Sequence, residues 1–174
     1  TRLLTVTGVQ TCALPICDHR RVGGFARLAA EFRPALTCIS PARARSPAYR
    51  AALTQLEATP GRSRTISAGD QLAGWEVLHP AAADKFDRAD DQALILRGEF
   101  HGLRVLLLSE LGAAGQRALL ARGGDLRADL VIAAMPEQGE PLSDALLAAI
   151  RPQLIVLADT EFPASKRPKP ALLT

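Results

Sequence analysis

The stretch Ala93-Leu94-Ile95-Leu96-Arg97-Gly98-Glu99-Phe100-His101-Gly102-Leu103-Arg104-Val105-Leu106-Leu107-Leu108 carries the strongest β signal in the chain. Two apolar runs, Ala93–Leu96 and Leu103–Leu108, flank Glu99-Phe100-His101-Gly102, and the glycine in that link suits a tight hairpin. Downstream the period changes. After Ser109-Glu110, the segment from Ala113 to Arg122 reads as a helix stopped by Gly123-Gly124, as a left-handed C-cap requires. Asp129 to Ala134 reads as a strand. Ser143 then caps a helix through Ile150 that stops at Arg151-Pro152, and Leu154 to Leu157 is a last buried strand running into Asp159.

Upstream of the hairpin, Arg64 to Ser67 and Trp75 to Leu78 flank the turn-forming Ala68-Gly69-Asp70 and read as an antiparallel pair ending at His79-Pro80. Ala81 to Asp91 is a polar loop. Ser46-Pro47 opens a helix, with Tyr49, Ala52, Leu53 and Leu56 as its buried stripe and Pro60-Gly61 as its stop. Leu36 to Ile39 is a short buried strand. Before it, Gly23-Gly24 opens a helix whose Phe25, Leu28, Ala29 and Phe32 fall at i, i+3, i+4 and i+7, ending ahead of Pro34. The predicted order is α-β-α-β-β-β-β-α-β-α-β, the pattern of an α/β layer architecture.

The chain has 174 residues, 48% of them hydrophobic and 22% charged, with a formal charge of +3, which fits one globular domain and excludes wholesale disorder. No run reaches the roughly 18–20 apolar residues of a membrane helix. Three cysteines match neither a disulfide scaffold nor a Cys-rich zinc site, so a reducing compartment is the default expectation. The pI near 9 permits anionic partners without demanding them.

Val6 to Ile16 resembles a translated sequencing-library adapter, so residues 1–16 are set aside as non-native. Leu3 to Ile16 does not read as a signal peptide, because Gly8, Gln10 and Pro15 interrupt it and no cationic region precedes it. The domain is expected over residues 17–162, part of a longer protein, followed by a frayed basic tail, 163–174, with Lys166, Arg167 and Lys169 among prolines.

Four places could hold chemistry, since catalytic groups in α/β sheets sit on loops at strand ends. Asp18-His19-Arg20-Arg21-Val22-Gly23-Gly24 reads as an anion site at a helix start, or more plainly as a glycine turn beside solvated arginines. His79 ends a strand and could ligate a metal, but a lone histidine before proline more often shapes a loop. Glu110 leaves the most apolar strand, where an acid can bind a metal or stand at a helix start. Asp159 and Glu161 follow the last strand and read as loop acids. Cys38 is expected to be a packed thiol and His101 a solvated turn residue. Arg43, Arg45, Arg50, Arg62 and Arg64 crowd one third of the chain, with few aromatic residues between them for base stacking. No Walker loop, dinucleotide fingerprint, Gly-x-Ser-x-Gly elbow or paired CxxC occurs.

Taken together, the Gly23-Gly24 helix start, Trp75-Glu76-Val77-Leu78-His79-Pro80, the strand pair opened by Asp91, Leu106-Leu107-Leu108-Ser109-Glu110, and the strands at Leu130-Val131-Ile132 and Leu154-Ile155-Val156 resemble the metallo-β-lactamase superfamily. The likeness runs from about Asp18 to Asp159. Within the superfamily it is closest to the C-terminal extracytoplasmic domain of ComEC-type competence proteins, the channels for DNA uptake. The resemblance implies an αββα sandwich, of which this chain would hold mainly the second half.

The superfamily's ligand signature is T-H-x-H-x-D-H-x-G-G. Aligned on Gly23-Gly24, its last His falls on Arg21, its Asp on Arg20, its second His on Asp18 and its first His on Ile16. Glu110 takes the place of the bridging Asp, and the later histidines fall near Ala134-Met135-Pro136, which has no ligand. The resemblance therefore implies vestigial metal positions at Asp18, Arg20, Arg21 and Glu110, with no zinc expected although intact relatives hold it. It also implies a membrane channel domain elsewhere in the same polypeptide and a place at the extracytoplasmic face of the inner membrane. Two alternatives remain open at this point. One is a stand-alone, cytoplasmic metal-dependent hydrolase or phosphodiesterase with a different ligand set. The other is a non-catalytic module that positions single-stranded DNA through Arg43, Arg45 and Arg62.

Overall fold

A computed structural model describes residues 24–41, 47–58 and 61–158, together with the backbone of 11–14. Its elements among these residues are β1 (Thr11–Leu14), α1 (Phe25–Phe32), β2 (Leu36–Ile39), α2 (Pro47–Glu57), β3 (Ser63–Thr65), β4 (Gln71–Leu72), β5 (Trp75–His79), β6 (Ile95–Phe100), β7 (Leu103–Ser109), α3 (Ala113–Ala121), β8 (Leu130–Ala134), α4 (Asp144–Ile150) and β9 (Leu154–Ala158), with a 3-10 turn at Asp90–Gln92. The fold is α/β. The strands form a parallel three-stranded sheet, β1-β2-β3, and a mixed six-stranded sheet, β4-β5-β6-β7-β8-β9.

Strand alternation sorts the side chains into three apolar layers. On β2, Ile39 faces α1 and α2 and packs with Phe25, Tyr49, Ala52 and Leu56. Its neighbour Cys38 points the other way and packs with Ile66, Leu72, Val77, Leu94 and Leu96, between the two sheets. On the far side of the larger sheet, Leu106, Leu108, Val131 and Ala133 meet Leu111 and Leu119 around α3, and Leu146 and Ile150 from α4. The molecule is therefore layered helix, sheet, sheet, helix. Cys38 is the packed thiol its strand position suggested.

The hairpin at 93–108 forms as β6 and β7, with Leu96 opposite Leu107 and Phe100 opposite Leu103. His101 and Gly102 are its two turn residues, at φ 51° and 79°, the pair of positive φ values that a twist-compatible two-residue turn requires. On the face turned away from α3, Gly98 leaves room for Trp75 and Phe100, whose rings lie 4.9 Å apart; a Cβ at Gly98 would come within 2.9 Å of the indole.

One expected pairing is corrected. The segment at 64–67 is not the antiparallel partner of Trp75–Leu78. β3 instead runs parallel to β2, with Arg64 opposite Cys38, and the antiparallel neighbour of β5 is the short β4, through the turn at Ala73-Gly74. The chain changes sheets after Ile66, whose N–H donates to the Ile39 carbonyl. The turn at Ala68-Gly69-Asp70 exists but serves that crossing: Asp70 accepts a hydrogen bond from the Ser67 N–H at 2.8 Å. A second correction concerns α1. Of its predicted buried stripe, Phe25 is buried and Ala29 partly so, whereas Leu28 is 39% and Phe32 58% exposed, because no described residue packs over that side.

β1 falls inside the adapter-like segment yet is hydrogen-bonded to β2. Ladder bonds use backbone groups, so this pairing carries no information about where those residues come from. No helix among the described residues is long and apolar enough to cross a membrane.

Candidate functional site

The loops at one end of the larger sheet meet around a cluster of buried polar side chains. They are the segment 79–92 after β5, the turn 109–112 after β7 and the stretch 135–143 after β8. Loops at the ends of parallel strands are where an α/β sheet keeps its ligand sites, which makes this end the candidate site.

Asp91 organises it. Helix α3 starts at Gly112, which has no side chain with which to cap it. The Asp91 carboxylate, arriving from the 3-10 turn, accepts hydrogen bonds from the Ala114 N–H at 2.9 Å and the Gly115 N–H at 3.0 Å. It thus satisfies two of the four amides a helix start leaves open, and its charge is favoured there. The approach is close enough to dictate both glycines. A Cβ at Gly112 would lie 2.5 Å from the carboxylate, and one at Gly115 2.7 Å from the Asp91 carbonyl. This helix start is therefore filled by the chain's own anion.

The histidine that ends β5 is tied to the same residue. His79 is fully buried, its Nε2 2.7 Å from the Asp91 carbonyl and its Nδ1 3.0 Å from the Arg122 guanidinium. The carbonyl can only accept and the guanidinium can only donate, which assigns the neutral tautomer with the proton on Nε2. Burial holds its pKa below the ordinary value, and the nearby Arg122 charge adds to this, while the bond to Asp91 and the charges of Asp84 and Asp91 oppose it. Arg122 also binds Asp84, which in turn accepts from the Ala81 N–H. Both ring nitrogens are engaged, so His79 braces the loop before the cluster, the plainer of the two readings that its place before proline offered. Asp90 extends the brace by accepting from the Glu137 N–H at 2.8 Å. Gln116, 2% exposed, donates to the carbonyls of Leu111 and Glu140 and accepts from the Ser143 N–H, locking α3 to the start of α4.

Glu110 sits half-buried in the turn between β7 and α3, after Ser109 at φ 49°. This is the strand-end position the sequence indicated. Among the described residues no three His, Cys, Asp or Glu side chains converge as a metal site would require. Asp18, Arg20, Arg21, Arg43 and Arg45 lie outside the described residues, as do Asp159, Glu161 and the tail at 163–174. His79 is committed to Asp91 and Arg122 through both ring nitrogens.

Sequence reasoning missed Asp90, Asp91 and Gln116, which together with His79 are the buried polar residues that build this end. The available signals were two acids directly before an apolar run and a helix starting Gly112-x-x-Gly115 with no capping side chain of its own.

The basic residues separate into paired and unpaired groups. Arg64 binds Asp70 and Arg97 binds Glu76. An open groove of about 400 Å³ beside the hairpin holds Arg97, Arg104 and Arg127, but Glu76, Glu99 and Asp125 line it too. The Arg127 guanidinium pulls the Asp125 carboxyl down to about 2, which marks the groove as charge-balanced. Arg62 is exposed just before β3 and has no acid partner among the described residues. No family model matches this sequence, and no curated protein matches it.

Proposed function

We propose that the chain is a metallo-β-lactamase-like domain of a ComEC-type DNA-uptake protein in which the sandwich persists without a working metal centre. The observation that carries this reading is the layering. Helices α1 and α2, the sheet β1–β3, the sheet β4–β9 and helices α3 and α4 stack in that order. Glu110 stands on the turn after β7, where the resemblance puts the bridging acid, and the interior of that end is occupied by Asp91, His79 and Gln116 bonding to the chain itself. On this reading the domain is tethered to a membrane channel in the same polypeptide, at the extracytoplasmic face of the inner membrane, and takes part in DNA uptake without cutting the strand.

Zinc titration of the full chain followed by calorimetry, with a phosphodiester chromogen as the activity probe, tests it. Binding weaker than micromolar and no zinc-dependent turnover are expected. Micromolar or tighter binding with turnover would overturn the proposal in favour of a metal-dependent hydrolase.

A second reading, a module that positions single-stranded DNA, draws support from Arg62, which has no acid partner among the described residues. It requires oligonucleotide affinity that falls with salt, and a shallower salt slope once Arg43, Arg45 and Arg62 are replaced. Salt-insensitive binding would dispose of it.

A further inference from the structure

We infer that the cleft between α1, α2 and the first residues of β2 is a binding site for a phosphate group. It is independent of the DNA-uptake reading and lies on the opposite side of the smaller sheet from the larger one, on the layer formed by α1 and α2.

The cleft has a volume of about 140 Å³, against the roughly 10–15 Å³ a single water needs. Phe25 and Leu56, both buried, form its floor. Its polar lining is Arg33, Arg62, Gln55 and Thr37, with no acid among the described residues that line it. Two elements bring the arginines together. Arg33 ends α1 in the left-handed conformation, its N–H donating to the Ala29 carbonyl at 3.0 Å. Arg62 is held at the start of β2 because its carbonyl accepts from the Thr37 N–H at 2.8 Å.

What sets this cleft apart is that two arginines without an ion-pair partner among the described residues line one recess. Arg64, Arg88, Arg97, Arg104, Arg122 and Arg127 each lie within ion-pair distance of an acid. Arg33 and Arg62 have no such partner among the described residues, although they line the same recess. Two guanidiniums beside an apolar floor form a locus of positive charge, where an anion is held more strongly than beside a single arginine.

The donor count selects the kind of anion. Each guanidinium presents five N–H donors in a planar fork, and Gln55 and Thr37 add an amide and a hydroxyl. A carboxylate offers two oxygens on one edge and can satisfy one fork. A phosphate group offers three or four oxygens in a tetrahedron and accepts from two forks at once. The apolar floor favours a phosphate carried on an organic group, such as a nucleotide or the 5′ end of a DNA strand, over the free ion.

Calorimetric titration of the full chain with inorganic phosphate, thymidine 5′-monophosphate, thymidine and acetate tests the site and separates the sources. Saturable binding of the monophosphate with a dissociation constant near or below about 1 mM is expected, weakening with salt, with thymidine and acetate silent. Affinity for inorganic phosphate equal to that for the monophosphate would assign the free ion, and weaker affinity an organic phosphate. Arg33→Gln and Arg62→Gln should each weaken binding about ten-fold or more. Arg27→Gln, which removes the same charge from the outer side of α1, where Arg27 faces Glu31 at 4.0 Å, should leave binding intact. Should Arg33→Gln disturb the left-handed turn, Arg62→Gln and Gln55→Ala carry the comparison alone. The inference is overturned by the absence of saturation for either phosphate ligand, by acetate binding as well as phosphate, by cleft variants that bind like the parent, or by an equal loss in Arg27→Gln.

Discussion

Asp91 does the work of several residues. Its carboxylate caps α3 through one part-buried and one buried bond, and its carbonyl holds His79 in the interior. Asp91→Ala removes the cap and strands two amides in the interior, so a loss of about 2–3 kcal/mol is expected from urea unfolding. Asp91→Asn keeps an acceptor and should lose less than half of that. A second prediction concerns pH. Because His79 is held neutral in the folded state with a lowered pKa, the unfolded chain takes up its proton first as pH falls. The associated stability is fully present above the unfolded value of about 6.5 and is lost progressively below it, toward the folded pKa. Melting temperatures between pH 5 and 8 should fall more steeply on the acid side for the parent than for His79→Gln; parallel curves would refute the assignment. That His79 shapes its loop was legible from its place before proline, but its partner was not, because nothing around His79 or Asp91 in sequence shows that twelve residues later the chain returns to the same point.

At the scale of elements, the hairpin was the most legible feature, since its turn and both flanking strands are neighbours in sequence. His101 occupies a positive-φ position at φ 51°, where asparagine before glycine is the preferred residue. His101→Asn should therefore stabilise by about 0.5 kcal/mol, seen as a raised urea midpoint with an unchanged slope. The pairing of β3 was not legible. Ser63–Thr65 is exposed throughout, so it lacks the alternation that would have assigned its partner, and its link to β2 is made by backbone groups across the intervening α2. β4, two residues long, falls below any periodicity signal. By contrast, the cap of α4 at Ser143 and its end at Arg151 were readable, because a cap is a local bond: the Leu146 N–H donates to the Ser143 hydroxyl.

For the whole molecule, the notable surface is the face of β8 and β9 turned away from α3 and α4. Val105, Leu130 and Leu154 share one row across three strands, and Leu107, Ile132 and Val156 the next. Leu154 is 59% exposed and Val156 44% exposed, and β9 has no neighbour on its outer edge among the described residues. Parallel strands apolar on both faces are normally covered on both, and an open edge beside such a face favours association. Sedimentation of the full chain should show self-association that grows with concentration, and Leu154→Lys with Val156→Lys should reduce it while changing stability by less than about 1 kcal/mol. A parent that stays monomeric at all concentrations would contradict this. The zinc experiment belongs at this scale too, since a metal centre needs residues from distant segments to converge.

Read by itself, the sequence determined the element types, the order of most of them, the hairpin turn and the capped α4. These depend on residues within a few positions of one another, where backbone geometry and side-chain period act directly. The tertiary structure alone decided that β3 belongs with β2, that Asp91 fills the start of α3, that both nitrogens of His79 are spent, and that Arg33 and Arg62 share one cleft. Each of these joins segments whose separation along the chain carries no periodic signal. They become neighbours only when burial of the three apolar layers brings the strands together.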